Sequence, residues 1–126
     1  MVGFYMDFTT TKPVVYSGSK LYKNLVTLRG FKNLAENWNG NGAMPFEAGL
    51  IEKATGMMMA LKRQPQIFPT ARQSVQFEYH KANGDYLEFE IFKDKIIAYS
   101  EQMNEEYERE LDSLEDINGL VEVFYA

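Results

Sequence analysis

The sequence predicts an α+β domain in which an antiparallel β-meander of about three to five strands carries two or three helices on one face. Two patterns predict this class. Apolar residues repeat every three to four positions in much of the first half and again at the end, as in amphipathic helices. Between residues 75 and 101 apolar and polar residues alternate, as in half-buried strands. A length of 126 residues fits one domain, so we expect 1–126 to fold as a unit.

Three elements are predicted in the first half. Residues 1–9 alternate between apolar and small or polar side chains, which indicates a strand. Ser19 can cap a helix that Gly30 interrupts. Pro45 suits the first position of a second helix, and Pro65 ends that helix because proline cannot continue it.

The pattern is most specific in a β-hairpin formed by residues 75–80 and 87–92. Opposite residues of an antiparallel pair point to the same face, so apolar matching requires paired numbers with an even sum. The sum 166 satisfies this and leaves the loop Ala82-Asn83-Gly84, with glycine at the left-handed position. A two-residue turn would instead place Phe77 against Glu90. We therefore expect the register with the sum 166.

The rest of the chain predicts a third meander strand and a terminal helix. Residues 96–101 continue the strand pattern, whereas residues 105–112 fit neither a helix nor a strand clearly. Ser113 and Asp116 resemble a capping box, and the apolar spacing that follows is helical to the end of the chain. Gly119 weakens this helix without ending it.

The hairpin register brings a group of polar side chains together on the face away from the core. Glu78 lies opposite Glu88, where like charges repel. Such a pair can act as acid and base, or hold a metal together with a histidine. A solvated or partner-covered sheet face is the simpler interpretation, and we favour it; we expect neither a metal nor a cofactor. The candidate binding residues on this face are Glu78, His80, Glu88 and Glu90.

A second candidate is the loop between the first two helices, which contains two Asn-Gly pairs. Both residue types tolerate the left-handed conformations that tight turns require. Its candidate binding residues are Trp38, Asn39 and Asn41. We favour an interpretation in which Trp38 packs on the core, and its exposure would instead indicate an interaction loop.

Charge is distributed unevenly along the chain. The net charge of −5 combines +5 over residues 1–72 with −10 over residues 73–126. Nucleic-acid binding is therefore not expected, because it requires a basic face. Acidic residues cluster in a run that is either a solvated face or a docking surface for a basic protein groove. The candidates in this run are Glu105, Glu106, Glu108, Glu110 and Asp112.

Several classes of protein are excluded or disfavoured. The absence of cysteine excludes disulfide scaffolds and thiol nucleophiles. With one histidine and no Gly-x-Ser-x-Gly turn, acyl transfer is not expected, and we lean against an enzyme. No apolar run approaches the ~20 residues of a membrane helix, and no signal peptide is evident. We expect a cytoplasmic protein without a membrane partner.

Several motifs lie between residues 21 and 99: Glu-Asn-Trp-Asn-Gly-Asn-Gly-Ala at 36–43 with a proline at 45, Pro-Gln-Ile-Phe-Pro-Thr at 65–70, and the two hairpin segments. Together they resemble a family of small, functionally uncharacterised bacterial and phage proteins. The family pattern is N-W-D-G-Y-G-A-x-P, a helix, P-x-I-x-P-T and a hairpin. Asn39 and Asn41 replace its aspartate and tyrosine. The resemblance implies a phage or mobile-element setting, where small acidic proteins often block a larger protein.

These observations predict a non-enzymatic protein-binding module, such as an inhibitor or an antitoxin-like regulator of a larger protein. The alternative is a small-ligand binder, for example of a nucleotide signal, or a small hydrolase that uses Glu78, Glu88, Glu90 and His80. Homodimerisation through the outer sheet face is a further alternative, and it would use exposed Tyr86, Phe92 and Tyr99.

Overall fold

The structure, a computed structural model, describes residues 4–6, 13–15 and 19–126. Its first two strands form a small antiparallel pair with Phe4 opposite Val15. The remainder of the predicted strand at residues 1–9 lies outside the described residues. In chain order the elements are β1 (Phe4–Met6), β2 (Pro13–Val15), α1 (Ser19–Gly30), a 3-10 turn (Phe31–Asn33), α2 (Ala48–Ala60), β3 (Gln66–Pro69), β4 (Val75–His80), β5 (Tyr86–Ile91), β6 (Ile96–Gln102), β7 (Glu105–Leu111) and α3 (Leu114–Tyr125).

The main sheet is a five-stranded antiparallel meander in the order β3-β4-β5-β6-β7. Alternate residues along β4, β5 and β6 are buried in one core together with Ile67 of β3, Leu111 of β7 and residues of the three α-helices. This confirms the predicted α+β class, because the period-two and helical patterns bury their apolar sides against each other. The central buried side chains include Leu28, Leu50, Ile51, Met58, Val75, Phe77, Phe89, Ile91 and Ile117.

The predicted hairpin register is confirmed residue by residue. Val75 pairs with Ile91, Phe77 with Phe89 and His80 with Tyr86, all with the sum 166. In the loop, Gly84 takes a φ of +95° and donates its backbone N–H to the carbonyl of Lys81 at 3.0 Å. The apolar matching across the pair therefore selects the three-residue loop.

The second helix begins later than its sequence predicts. It starts at Ala48, and Glu47 occupies the N-cap in an extended conformation, so the prediction of Pro45 as the first helical residue is wrong. Phe46 stacks on Phe31 with ring centroids 5.7 Å apart, and the Pro45 carbonyl accepts a hydrogen bond from Gln73. These tertiary contacts hold the segment extended, which outweighs the preference of proline for a helix start.

Interruption at Gly30 and capping at Ser113 are confirmed. Helix α1 ends at Gly30 and continues as a 3-10 turn. The Ser113 side chain accepts a hydrogen bond from the backbone N–H of Asp116, and Asp116 in turn accepts one from the backbone of Asp112. This satisfies two N–H groups at the start of α3.

Two strands go beyond the sequence prediction. Strand β3 adds to one edge of the sheet, with Ile67 opposite Phe77. The acidic stretch forms β7 at the other edge, with Leu111 opposite Ile96. None of the helices in the described ranges has the length and apolar character needed to span a bilayer.

Candidate functional site

Side chains of β4–β7 that point away from the helices form a surface that we call the outer face. The register rows Glu78-Glu88-Tyr99-Glu108 and Gln76-Glu90-Ile97-Glu110 run across it. A third row runs from His80 through Tyr86 and Glu101 to Glu106. Within the described residues, the outer face therefore collects seven carboxylates: Glu78, Glu88, Glu90, Glu101, Glu106, Glu108 and Glu110.

The strand period divides the acidic run between two faces. Glu106, Glu108 and Glu110 belong to the outer face, whereas Glu105 points to the other side and Asp112 follows the strand. The candidate acidic surface and the candidate hairpin cluster are thus largely one surface. A signal for this was present, because glutamate occupies every even position from 106 to 110.

Neighbouring polar groups relieve the repulsion between Glu78 and Glu88. The His80 Nε2 atom lies 3.2 Å from the Glu78 carboxylate, and the Tyr86 hydroxyl donates to Glu88 at 2.5 Å. The rings of His80 and Tyr86 meet edge to face, with centroids 5.0 Å apart. The paired carboxylates are therefore partly desolvated and hydrogen-bonded.

Tyr86 is held in its protonated form. Burial and the hydrogen bond to Glu88, reinforced by the charges of Glu88 and Glu78, raise the pKa of Tyr86 well above its usual value. At neutral pH its hydroxyl therefore donates a hydrogen bond to the carboxylate cluster and does not act as a base.

Glu90 has internal partners. Its side chain is buried, and its Oε2 atom accepts hydrogen bonds from Arg72 Nε at 3.1 Å and from Ser74 Oγ at 2.5 Å. Its Oε1 atom forms an ion pair with a second guanidinium nitrogen of Arg72. Ser74 is also hydrogen-bonded to Thr70 at 2.5 Å. Glu90 thus links the β3–β4 turn to β5. The sequence pattern had not indicated Arg72 or Ser74 as partners of Glu90.

The Trp38 loop is built largely from its own hydrogen bonds. Trp38 is half-buried, donates its indole N–H to the Met44 carbonyl at 3.1 Å and packs against Phe46. The Asn39 side chain accepts hydrogen bonds from the backbone of Asn41 at 2.9 Å and of Ala43 at 3.1 Å. These contacts hold Trp38 and Asn39 within the loop. The two residues are therefore a candidate site separate from the outer face.

Metal coordination has no geometric basis in the part of the chain that the structure describes. There, no group of three or more histidine, aspartate and glutamate side chains is arranged to hold a metal ion. The set Glu78, Glu88 and His80 is accordingly arranged as a hydrogen-bonded row of a sheet.

A cleft of about 390 Å³ lies beside the outer face at the end of β4. Its lining includes Lys20, Arg63, Glu78 and His80. The Arg63 guanidinium lies over the Tyr125 ring, 3.4 Å from the ring centroid. Cationic groups therefore adjoin the carboxylate cluster here, which the strand pattern alone did not reveal.

Comparison with known proteins gives no relative: no family model matches the chain, and neither a curated protein nor a solved structure matches it significantly.

Proposed function

We propose that this protein is a non-enzymatic binding module whose outer face docks on a basic surface of a larger protein. One observation carries the proposal: besides the buried, ion-paired Glu90, the register brings six carboxylates of the described strands onto a sheet face opposite the helices. Opposed potentials on two protein surfaces steer association and favour the correct orientation. Lysine and arginine on the partner would thus find complementary charge.

The proposed role is that of an inhibitor or an antitoxin-like regulator. Its support is the resemblance of the loop and hairpin motifs to phage and bacterial proteins, together with the scarcity of catalytic groups. On the outer face Tyr86 keeps its proton and Glu90 is engaged by Arg72 and Ser74. Two of the groups best placed for acid or base chemistry are thus already occupied.

The proposal is tested by using the protein to capture partners from a lysate of the source cells. Two charge variants are compared with the wild-type protein. The face variant combines Glu106→Gln, Glu108→Gln and Glu110→Gln. The control variant neutralises Glu52, Glu115 and Glu122, which are exposed on the helices. We expect the wild-type protein and the control to retain one partner that raised salt releases, whereas the face variant loses it. Equal capture by the wild-type protein and both variants would contradict an electrostatic outer-face interaction.

A second candidate function is the binding of a small anionic ligand in the cleft beside His80. The specific observation in its favour is the presence of Lys20 and Arg63 in the cleft lining, since these cations can hold phosphate oxygens directly. Calorimetric titration with a nucleoside diphosphate in the presence of chelator tests it. Heat that disappears in Arg63→Gln supports this function, and absence of heat with the wild-type protein rejects it for that ligand.

A further inference from the structure

We propose that the free edge of β7, the side on which no strand of the described residues pairs with it, receives an extended segment of the protein partner as a sixth strand of the main sheet. The added strand would present basic side chains on the outer face and apolar side chains toward α3. This inference rests on the proposed function, and it specifies the mode of docking and the chemistry of the partner segment.

Backbone groups at the edge of β7 are directed away from the sheet. Antiparallel pairs alternate between residues that exchange two hydrogen bonds and residues that exchange none. The backbone N–H of Phe92 donates to Lys95 at 2.9 Å, which fixes this alternation for β5 and β6. The same alternation continues from β6 to β7, so the odd-numbered residues of β7 form the backbone hydrogen bonds to β6. The N–H and C=O groups of Glu106, Glu108 and Glu110 consequently point to the free edge.

The side chains of these same three residues determine which strand fits. They lie on the outer face, so every outward side chain of an added strand stands beside a glutamate. Opposite charges on neighbouring strands are favourable, and like charges are unfavourable. Lysine or arginine at alternate positions is therefore the complementary pattern. A second copy of the chain does not fit as the added strand. If two β7 strands paired antiparallel with their outer faces on the same side, each glutamate of one strand would lie opposite a glutamate of the other.

The opposite side of the same edge is only partly apolar, because Tyr107 and Leu111 alternate there with Glu105 and Arg109. A cavity of about 260 Å³ lies between α3 and the helix-facing side of β5–β7. Tyr107 and Val123 line it with 62% and 74% of their surface exposed, although both are large apolar side chains. Inward residues of an added strand would cover these two side chains, and burial of apolar surface favours association. Alternating basic and apolar residues therefore complement the three glutamates on one side of β7 and the exposed Tyr107 and Val123 on the other.

Two synthetic peptides test strand addition. The first alternates lysine and valine over the length of β7 and has blocked ends; the second is identical except that alternate backbone nitrogens, on the edge facing β7, are methylated. We expect the first to bind, with the largest amide shifts in a nuclear magnetic resonance titration at β7 and α3, and the second to bind at least about tenfold more weakly. Equal affinities, or the absence of binding by the first peptide, would overturn the inference.

Two substitutions at Glu108 separate this inference from the proposed function. Glu108→Pro removes an edge N–H without removing a hydrogen bond to β6, and proline is tolerated on edge strands. Glu108→Gln removes the charge alone. We expect the proline variant to lose at least about tenfold in peptide affinity and the glutamine variant only a few-fold. If the proline variant, folded by circular dichroism, still binds both the peptide and the cellular partner while the triple glutamine variant loses the partner, strand addition is wrong and the charged face remains.

Discussion

Arg72 and Glu90 join the β3–β4 turn to the middle of the sheet. The guanidinium contacts both oxygens of the carboxylate, and Ser74 contributes a further hydrogen bond. The Glu90 side chain is only 9% exposed, whereas that of Arg72 is 68% exposed, so the buried member of the pair is the carboxylate. The hydrogen bond and charge of Glu90 raise the pKa of Arg72 further above its already high value. The buried carboxylate is therefore paired with a guanidinium that keeps its charge.

We predict that Glu90→Ala lowers the free energy of unfolding by about 2–3 kcal/mol, because it leaves Ser74 without its acceptor and opens a gap beside β5. Glu110→Ala is the matched control, since Glu110 lies in the same register row but is exposed. Its effect should stay within about 0.5 kcal/mol. Urea unfolding at neutral pH measures both, and similar effects of the two substitutions would contradict a structural role for Glu90.

Neighbouring asparagines of the Trp38 loop should differ in their effects on stability. Asn39→Ala removes the acceptor of two backbone N–H groups, and we expect it to cost about 1–2 kcal/mol. Asn41 takes part through its backbone N–H, which alanine retains, so Asn41→Ala should be nearly neutral. Thermal unfolding of the two variants provides the comparison. A larger loss in Asn41→Ala would show that the loop is held in another way.

Glycine substitutions test the hairpin loop against a helix. Gly84 has a φ of +95°, which a Cβ atom disfavours, so Gly84→Ala should destabilise the protein by about 1 kcal/mol or more. Gly119 lies in α3 with open space where a Cβ atom would stand, and Gly119→Ala should stabilise by about 0.5–1 kcal/mol. We expect the two substitutions to shift the denaturation midpoint in opposite directions. Shifts in the same direction would contradict either the left-handed loop or the helical position.

Local periodicity predicted the elements that it can specify. The register of β4 and β5 followed from apolar matching, because a shift by one residue would expose Phe77 and Phe89. The cap at Ser113 followed from its spacing to Asp116. In both cases the determining residues lie near each other in sequence.

Contacts between distant residues account for what the sequence did not reveal. The start of α2 depends on Phe46 packing against Phe31, and the contact of Arg72 with Glu90 depends on how the β3–β4 turn lies beside β5. The acidic run shares a face with the hairpin carboxylates because β7 pairs with β6. The turn between these two strands has no strong sequence signature. Two residues of that turn, Met103 and Asn104, have positive φ values although neither is glycine.

Alkaline pH should destabilise the fold through Tyr79, which is buried, and Tyr86, which is partly buried. Burial raises the pKa of Tyr79 and of Tyr86 well above the ordinary value of about 10. Above that pH the unfolded chain releases these protons while the folded chain retains them, so the free energy of unfolding falls as pH rises. Below it both states are protonated and the effect vanishes. We expect Tyr86→Phe to reduce the slope of stability against pH above about 10, and an unchanged slope would contradict the raised pKa of Tyr86.

Repulsion on the outer face gives a final prediction. Glu106 and Glu101 lie directly opposite each other on β7 and β6, so Glu106→Lys should raise the free energy of unfolding by about 0.2–1 kcal/mol at low salt. Urea unfolding at low and raised salt measures this gain, which salt should diminish. Glu52→Lys is the control: Glu52 lines a cleft with Arg29 and Lys32, so the same charge change there should destabilise.

The same lysine substitution should weaken binding of the proposed partner, because it reverses a charge where a basic strand would lie. Gain of stability with loss of binding would indicate that the glutamates of the outer face are retained for recognition at the expense of stability. A charged edge also discourages aggregation, and lysine serves that purpose as well as glutamate. If Glu106→Lys raises stability and leaves both partner capture and solubility unchanged, protection of the edge accounts for the charge of Glu106 without a partner.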